Sequence, residues 1–305
     1  MGTLLVGNTV PVADATETSV RRTLGLWTYL KRNPKLVTGL VLLSALVLFG
    51  LIGPFFIDTE LARPMSAMPS QPPSSTYPFG TDDQGRNLLA VAVVGLPLTL
   101  QVGLIAGLVA IVLGTVLGLV AGYVGGVTDL IIRGICDILL TVPGLVVLIT
   151  VAASIQGAIS VQQMALVVAS LAWMWPARTI RSQVLTLRER AYVQMAKLSG
   201  MKTMEIIFRE IMPNLLPFLA ASFVGSVAAA ILASIGLEAL GLGPQNEPTL
   251  GMTIYWAISF NTVIRAMWWW LAMPIVAIVI LFISLFLISA GLDEIANPRL
   301  RKVAS

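Results

Sequence analysis

Six long runs of apolar residues divide this chain, and short polar segments separate them. A helix needs about 20 mostly apolar residues to cross the roughly 30 Å hydrocarbon core of a bilayer. Helices are the expected spans, because an open strand facing lipid leaves its backbone groups unpaired. The runs predict six spanning helices, at residues 36–57, 98–121, 130–153, 161–176, 215–240 and 267–292. The predicted fold class is therefore an all-α, polytopic membrane protein with six transmembrane helices.

Two of these runs differ in length from a typical single span. The run at 91–123 is too long for one span, so we expect a lead-in helix that ends near Pro97 and a separate span after it. The run at 161–176 is the shortest of the six. Residues 1–20 lack a basic start followed by an apolar stretch, so the first run is expected to be a retained span rather than a signal peptide.

Composition agrees with a bilayer as solvent. Of the 305 residues, 57% are hydrophobic and 11% are charged, whereas a soluble domain carries about 25% charged residues. The chain has no histidine, which argues against a histidine-ligated metal site, and we expect no bound metal. The basic residues cluster at the ends of apolar runs, so the pI near 9.5 reflects topology and predicts no nucleic-acid partner.

The distribution of basic residues predicts the orientation. With the N-terminus inside, 16 of the 19 basic residues fall in inside segments and 3 in outside segments. This excess predicts cytoplasmic termini. The expected organisation is a cytoplasmic tail at 1–35, a transmembrane domain at 36–292 and a cytoplasmic tail at 293–305. An outer loop at 58–90 is rich in Pro, Ser and Thr, and Thr81 or Asp82 is expected to cap the helix that follows it.

A charged loop at 178–214 interrupts the apolar pattern and holds 7 of the 19 basic residues. Tyr192, Met195, Ala196 and Ser199 are spaced i, i+3, i+4 and i+7, which predicts one face of a helix. Gly200 is a natural helix stop. Thr203 is expected to cap a second helix over 204–212, and Pro213 is expected to end it. The pattern alone leaves two interpretations open: a helix pair on the membrane surface, or a helix that docks in a groove of a soluble partner.

Further elements along the chain resemble a known family. In chain order they are Gly80-Thr81-Asp82 with Gly85-Arg86, Ala121-Gly122-Tyr123 with Gly125-Gly126 and Asp129, Leu187-Arg188-Glu189-Arg190, Tyr192-Val193, Gly200, Pro213-Asn214-Leu215, Leu240-Gly241-Leu242-Gly243 and Asn297-Pro298-Arg299-Leu300. Together they resemble the permease subunits of ABC importers, most closely the C-type permeases of dipeptide and oligopeptide importers. The charged loop is similar to the EAA loop of that family, although Gln194 stands at its acidic position and Asn87 stands where the family has Asp.

The resemblance implies a type I ABC-importer-like permease in the inner membrane of a bacterium or archaeon. It implies a second permease subunit, two ABC ATPases and an extracytoplasmic solute-binding protein as partners, besides membrane lipid. No cofactor is expected on this chain, whereas ATP and Mg²⁺ are expected on the partner ATPases. The residues expected to couple the chain to the ATPases are Ala191, Tyr192, Gln194, Met195, Ala196, Ser199, Gly200, Met201 and Lys202.

We expect no enzymatic activity and no catalytic residues. The sequence has no GxxxxGK[ST] phosphate loop and no nucleophile with a paired base. A secondary transporter driven by an ion gradient is the main alternative, and few charges in the apolar runs count against it. An importer of the same family for a sugar or a metal chelate also stays open.

Charges inside the apolar runs are the remaining candidates. Asp129, Arg133 and Asp137 are spaced i, i+4 and i+8 and are expected to form a structural charge cluster that clamps spans together, with a proton relay as the alternative. Glu238 is expected near the outer end of the fifth span, either hydrated or attracting the amino terminus of a peptide. The predicted substrate path contains Glu238, Ser234 and Phe223, and Trp268-Trp269-Trp270 is expected in an interfacial aromatic belt.

Overall fold

The computed structural model describes residues 33–296, and each regular element in that part of the chain is a helix. The all-α prediction is confirmed for these residues, whereas most of both predicted tails lies outside them. The helices are α1 (Pro34–Ile52), α2 (Leu88–Leu119), α3 (Gly126–Thr141), α4 (Gly144–Ser154), α5 (Val161–Ala172), α6 (Met174–Arg188), α7 (Ala191–Leu198), α8 (Thr203–Ile206), α9 (Met212–Ala239), α10 (Leu250–Ser259) and α11 (Trp268–Ala296), with short 3₁₀ or π turns at Gly53–Phe55, Thr59–Ala62, Val120–Val124 and Ile207–Ile211.

Four helical stretches in the described part of the chain are long and apolar enough to cross a membrane. They are Pro34–Phe55, Leu88–Val124, Thr203–Ala239 and Trp268–Glu294. They contain most of the predicted first, second, fifth and sixth spans. The predicted third span is a bent pair, α3 with α4, and the predicted fourth span begins with the 12-residue helix α5.

The expected break at Pro97 is wrong, because α2 is one helix of 32 residues with Pro97 inside it. The ring of Pro97 packs against Gly50 of α1, where an added Cβ would lie 2.5 Å from its Cγ. Contact with a neighbouring helix stabilises a proline that would otherwise break an exposed helix. The expected end at Pro213 is also wrong. Here the π turn Ile207–Ile211 precedes α9 and changes the hydrogen-bond spacing, so the chain stays helical through Pro213.

The predicted span at 130–153 is two helices with a bend between them and not one continuous helix. α3 and α4 meet at 86°, and the break falls at Val142 and Pro143. Val142 is extended, with φ −78° and ψ 133°. A residue before proline avoids the helical region because the proline ring clashes with it. The two prolines in apolar runs thus differ in effect: Pro97 lies within a continuous helix, whereas Pro143 lies at a break between two helices.

Helix α2 is the centre of the bundle and packs against α9, α6, α5 and α1. Two small-residue repeats allow the close approach. Gly103 and Gly107 face α9, and a Cβ at Gly103 would lie 2.3 Å from Cγ1 of Ile231. Gly114 and Gly118 face α6 in the same way. Helices that meet at such repeats gain van der Waals contact along their backbones, which drives association in lipid.

Helix α11 closes the bundle against α1 and α9. The amide of Asn33 donates to the carbonyl of Gly291 at 3.1 Å, which joins the start of α1 to the end of α11. At the other end of α11 the three tryptophans separate. Trp268 is exposed, Trp269 donates to the carbonyl of Thr81 at 3.2 Å, and Trp270 is fully buried. The expected aromatic belt is therefore wrong for Trp270, which is a core residue.

The outer loop folds against the start of α11. Nη1 of Arg265 lies 2.7 Å from Oδ1 of Asp83, and the hydroxyl of Ser70 donates to the same oxygen at 2.7 Å. The expected cap at Thr81 or Asp82 is wrong. Asn87 caps α2, with its side-chain oxygen accepting from the backbone N–H of Leu89 at 3.0 Å.

Candidate functional site

The segment at 178–214 is a helix, a turn and a second helix, attached to the bundle at both ends. Its first part continues α6, which begins inside the bundle and ends at Arg188. The short helix α7 follows, and after a turn the chain runs through α8 and the π turn into α9. Helix α9 is among the longest helices and packs on α2 and α11. A displacement of α7 can therefore be transmitted through α9 to the bundle.

One face of α7 is fixed to the bundle. Val193 and Ala196 are buried in a cluster with Ile206, Ile207 and Ile211. Polar contacts add to this packing. The amide of Gln194 donates to the carbonyl of Arg188 at 3.0 Å, and Arg188 donates to the carbonyl of Gly122 at 3.0 Å. The ammonium of Lys197 lies 5.5 Å from the ring centroid of Tyr123. These contacts join α7 to the ends of α2 and α6.

The other face of α7 is exposed. Tyr192, Met195, Leu198 and Ser199 lie on it, and Met195 has 63% of its surface accessible. The expected single apolar face is therefore wrong in one respect, because Ala196 points inward with Val193 while its three predicted companions point outward. Residues at i and i+4 lie on nearly the same side of a helix, and Ala196 lies at the edge of the predicted face that is nearest to Val193 and the bundle. Exposed apolar side chains on a short, fixed helix form a surface suited to a protein partner.

Gly200 ends α7 in a left-handed turn. Its φ is +78°, and the backbone N–H of Met201 donates to the carbonyl of Ala196 while that of Gly200 donates to Lys197. This pair of bonds is the Schellman motif, which glycine favours because it has no Cβ. Nothing lies within 4 Å of the position that a Cβ would take. Gly200 is thus required for its backbone conformation and not for space. The expected cap at Thr203 is wrong, because Lys202 is the N-cap residue and α8 has no side-chain cap.

A cavity of about 590 Å³ lies beside α9. On α9 it is lined mainly by small residues with helical spacing, namely Ser222, Gly225, Ser226, Ala229 and Ala233. Helices α3, α4, α5, α6 and α11 form the other walls, and Leu148, Trp175 and Asp293 are among the residues that reach it. The small side chains keep this side of α9 open, because they leave space between the helices.

The three residues predicted for the substrate path do not line this cavity. Ser234 and Glu238 are fully buried on a neighbouring face of α9, and Phe223 is packed among interior side chains. The hydroxyl of Thr249 donates to Oε2 of Glu238 at 2.6 Å. The expected hydrated position of Glu238 is therefore wrong, because helix α10 folds over it. The sequence did not predict α10 as a separate helix, although Thr249 is a favourable N-cap residue.

The predicted charge cluster forms ion pairs, but with partners beyond its own helix. Arg181 of α6 pairs with Asp129 through both carboxylate oxygens. Asp137 accepts from Arg133 of the same helix and lies 3.3 Å from Nη1 of Arg178 on α6. A structural clamp between spans was expected, but Arg178 and Arg181 were not predicted as its partners. Their spacing of three residues at the end of a short apolar run was the available signal.

The pKa values of two neighbouring carboxyl groups in the outer loop are shifted in opposite directions. Burial raises the pKa of Asp82, although Arg86 lies 2.5 Å away and opposes the rise. Burial also acts to raise the pKa of Asp83. Hydrogen bonds from Ser70 and Arg265 outweigh it, so the pKa of Asp83 lies below its ordinary value. The difference follows from exposure, because an interior carboxylate loses more hydration than one at the surface.

The family model and the similar proteins agree on one family of transport proteins. The family described as binding-protein-dependent transport system inner membrane component matches residues 114–302. The dipeptide transport system permease protein DppC of Bacillus subtilis (strain 168) is 31% identical over 284 residues, which cover 93% of this chain and 88% of that protein. The protein of the same name from Alkalihalophilus pseudofirmus is 32% identical, covering 89% and 88%. The oligopeptide transport system permease protein OppC of Bacillus subtilis is 27% identical, covering 92% of each.

Proposed function

We propose a mechanism of peptide import for this chain, which belongs to the family of inner membrane components of binding-protein-dependent transport systems. It is a permease subunit of an ATP-driven importer in the bacterial cell membrane. The similar proteins named above are dipeptide and oligopeptide permeases, and they support short peptides as the substrate. The chain supplies a moving wall for the substrate, and other subunits supply the energy.

The proposed topology has six membrane spans, with both termini in the cytoplasm. Four helical stretches and the bent pair of α3 with α4 supply five of the spans, and α5 with the first turns of α6 supplies the sixth. The excess of basic residues in the inside segments supports this orientation. The division into tails at 1–35 and 293–305 and a permease domain at 36–292 follows from it.

The proposed partners are a second permease subunit, two ABC ATPases and an extracytoplasmic solute-binding protein. ATP and Mg²⁺ bind to the ATPases in this arrangement, and this chain carries out no hydrolysis. The family is defined by dependence on a binding protein, which supports that partner.

The geometry of α7 carries the coupling proposal. Its inner face is packed on the bundle, its outer face is exposed, and the chain beyond it enters α9. The outer face, with Tyr192, Met195 and Gly200, docks in a groove of an ATPase. Closure of the ATPases pushes α7 as a rigid element, and α9 transmits the displacement to the wall of the cavity.

The cavity beside α9 is the proposed substrate path. Its α9 wall of small residues, including Ser222, Gly225 and Ser226, contacts a peptide through backbone and hydroxyl groups without selecting particular side chains. Asp293 brings a carboxylate to the cavity and suits the positive amino terminus of a peptide. This moves the proposed path from the face of Glu238, Ser234 and Phe223 to the adjacent face of α9.

A charge placed at the docking surface tests the coupling role. Met195→Glu keeps the buried face of α7 intact, so the chain is expected to fold but to lose its ATPases on purification and to import no peptide. Met68→Glu is the matched control, because Met68 is exposed to a similar degree, 72% against 63%, in the outer loop. ATPases that remain bound to the Met195→Glu variant, with import at the level of the unsubstituted chain, would contradict the proposal.

A further inference from the structure

A second cavity, of about 210 Å³, lies between α3 and α6. Its lining residues are Ile132, Arg133, Cys136, Asp137, Ala177, Arg178 and Arg181, and none of them lines the larger cavity. One water occupies about 30 Å³ of liquid, so this space holds a polar group the size of a phosphate. The proposed coupling surface on α7 does not use it.

Positive charge exceeds negative charge at this cavity. Arg181 is neutralised by Asp129, with which it forms a bidentate pair. Arg133 and Arg178 share the single carboxylate of Asp137, each at 3.3 Å. One guanidinium charge is thus left over. Each guanidinium has five N–H donors, and one carboxylate cannot satisfy those of two arginines. Their side chains stay 61% and 57% accessible, so an anion from outside the chain can reach them.

An exposed apolar surface lies beside these arginines. On α3 it comprises Val127, Leu130, Ile131 and Ile138, which are exposed and lie two to six residues from Arg133. On α6 the side chain of Trp175, one turn before Arg178, is also exposed. Basic groups next to apolar side chains and tryptophan are the arrangement found where a membrane changes from headgroups to acyl chains.

We propose that this cavity binds the phosphate of an anionic phospholipid. Guanidinium groups match phosphate oxygens in geometry and charge, and basic pockets between membrane helices bind lipid headgroups. A free phosphate ion has the same recognition chemistry at the arginines. The neighbouring apolar face distinguishes the two sources, because acyl chains cover it and an inorganic ion does not. The site depends only on the membrane location of the chain and not on the transported substrate.

Lipid retention by the full-length chain, purified with the subunits that accompany it, tests the site. The protein is reconstituted with phosphatidylglycerol or phosphatidylcholine, and bound lipid is counted by native mass spectrometry. We expect preferential retention of phosphatidylglycerol. Arg133→Gln with Arg178→Gln weakens that binding by about 30-fold. The control replaces Arg63 and Arg209 with Gln, which removes two charges from other ion pairs within one helical turn.

Cys136 gives an independent measurement, because it is the single cysteine of the chain and lines the cavity. A bound headgroup slows its alkylation in phosphatidylglycerol relative to phosphatidylcholine, and the double substitution removes this difference. Thermal unfolding in phosphatidylcholine shows whether the double variant is folded, and Arg178→Gln alone replaces it if it is not.

Three results would overturn the proposal. The first is equal retention of both lipids by the unsubstituted chain. The second is phosphatidylglycerol binding that the arginine substitutions leave unchanged. The third is displacement of phosphatidylglycerol by millimolar inorganic phosphate, which identifies a site for the free ion. Retention that is unchanged by inorganic phosphate and lost in the arginine variant supports a lipid site.

Discussion

Arg181 of α6 and Asp129 of α3 form a bidentate ion pair across two helices. Nη2 of Arg181 lies 2.6 Å from Oδ2 of Asp129, and Nε donates to the other carboxylate oxygen. Each side chain is 21% accessible, so the pair is partly removed from water. A planar guanidinium that meets both oxygens of a carboxylate fixes orientation as well as distance. The pair therefore holds α3 on the helix that leads to α7.

Arg181→Lys tests how much the bidentate geometry contributes to stability. A lysine keeps the charge but loses the two parallel hydrogen bonds, so we expect the free energy of unfolding to fall by about 1 to 2 kcal/mol. Denaturant unfolding in detergent measures it. Arg133→Lys is the control, because Arg133 pairs along its own helix and is largely exposed. A double-mutant cycle with Asp129→Asn isolates the coupling, and a coupling energy near zero would contradict a structural role for the pair.

Substitutions at Gly200 are expected to act through the backbone. The φ of +78° is strained for a residue with a side chain, at a cost of about 1 kcal/mol for Ala and more for Val. Asn tolerates this conformation better. ATP-coupled import is expected to fall in the order Gly, Asn, Ala, Val. Gly134→Ala is the control, since Gly134 lies within α3 with open space around it. Equal import by the Asn and Val variants would exclude backbone strain as the cause.

Gly103→Ala is expected to separate α2 from α9. The new Cβ would lie 2.3 Å from Cγ1 and 2.7 Å from Cδ1 of Ile231, and both atoms must move. Overpacking of this kind costs about 1 to 3 kcal/mol. Thermal unfolding measures the loss. Ile231→Ala in the same chain removes those atoms, so the two substitutions together are expected to cost less than the sum of their separate effects. Simple additivity would show that α2 and α9 do not meet there.

The anchor of the outer loop is expected to depend on pH. The pKa of Asp83 lies below its ordinary value of about 4, so its stabilising contribution is present above that pH and is lost as pH falls through the lowered pKa. Limited proteolysis of the 58–87 segment measures the anchor and is expected to stay slow from pH 7 to 5 and to accelerate below pH of about 4.

Asp83→Asn separates this effect from that of Asp82. The raised pKa of Asp82 has the opposite effect on stability: burial of this group is unfavourable only when it is ionised, so its contribution becomes more favourable as pH falls. The Asn variant is expected to be cleaved faster at pH 7 with a weaker dependence on pH. Glu60→Gln is the control, since Glu60 pairs with Arg63 within an exposed turn. Cleavage of the Asn variant at the unsubstituted rate at pH 7 would argue against the anchor.

The sequence predicted the parts of this protein that depend on local pattern. An apolar run of membrane length indicates a helix because the bilayer requires one, and four long helices occur where such runs predicted them. Gly200 was recognised as the end of a helix from its position after an amphipathic segment, and the structure gives it the expected left-handed backbone. Each of these inferences depends on residues within one or two helical turns.

Only the tertiary structure decided the parts that depend on distant contacts. Pro97 and Pro143 are both prolines in apolar runs, yet the first stays within a helix that packs on Gly50 and the second lies at a sharp bend. The burial of Glu238 requires α10 to fold over it.

The partner of Asp129 lies 52 residues away on another helix. Local spacing fixes the conformation of a segment, whereas the side that faces inward is set by the free energy of packing against elements remote in sequence. The sequence by itself therefore determined an all-helical membrane protein with a helix that ends at Gly200. The fold determined which residues of that helix are exposed, which residues line the cavity, and where the arginines meet.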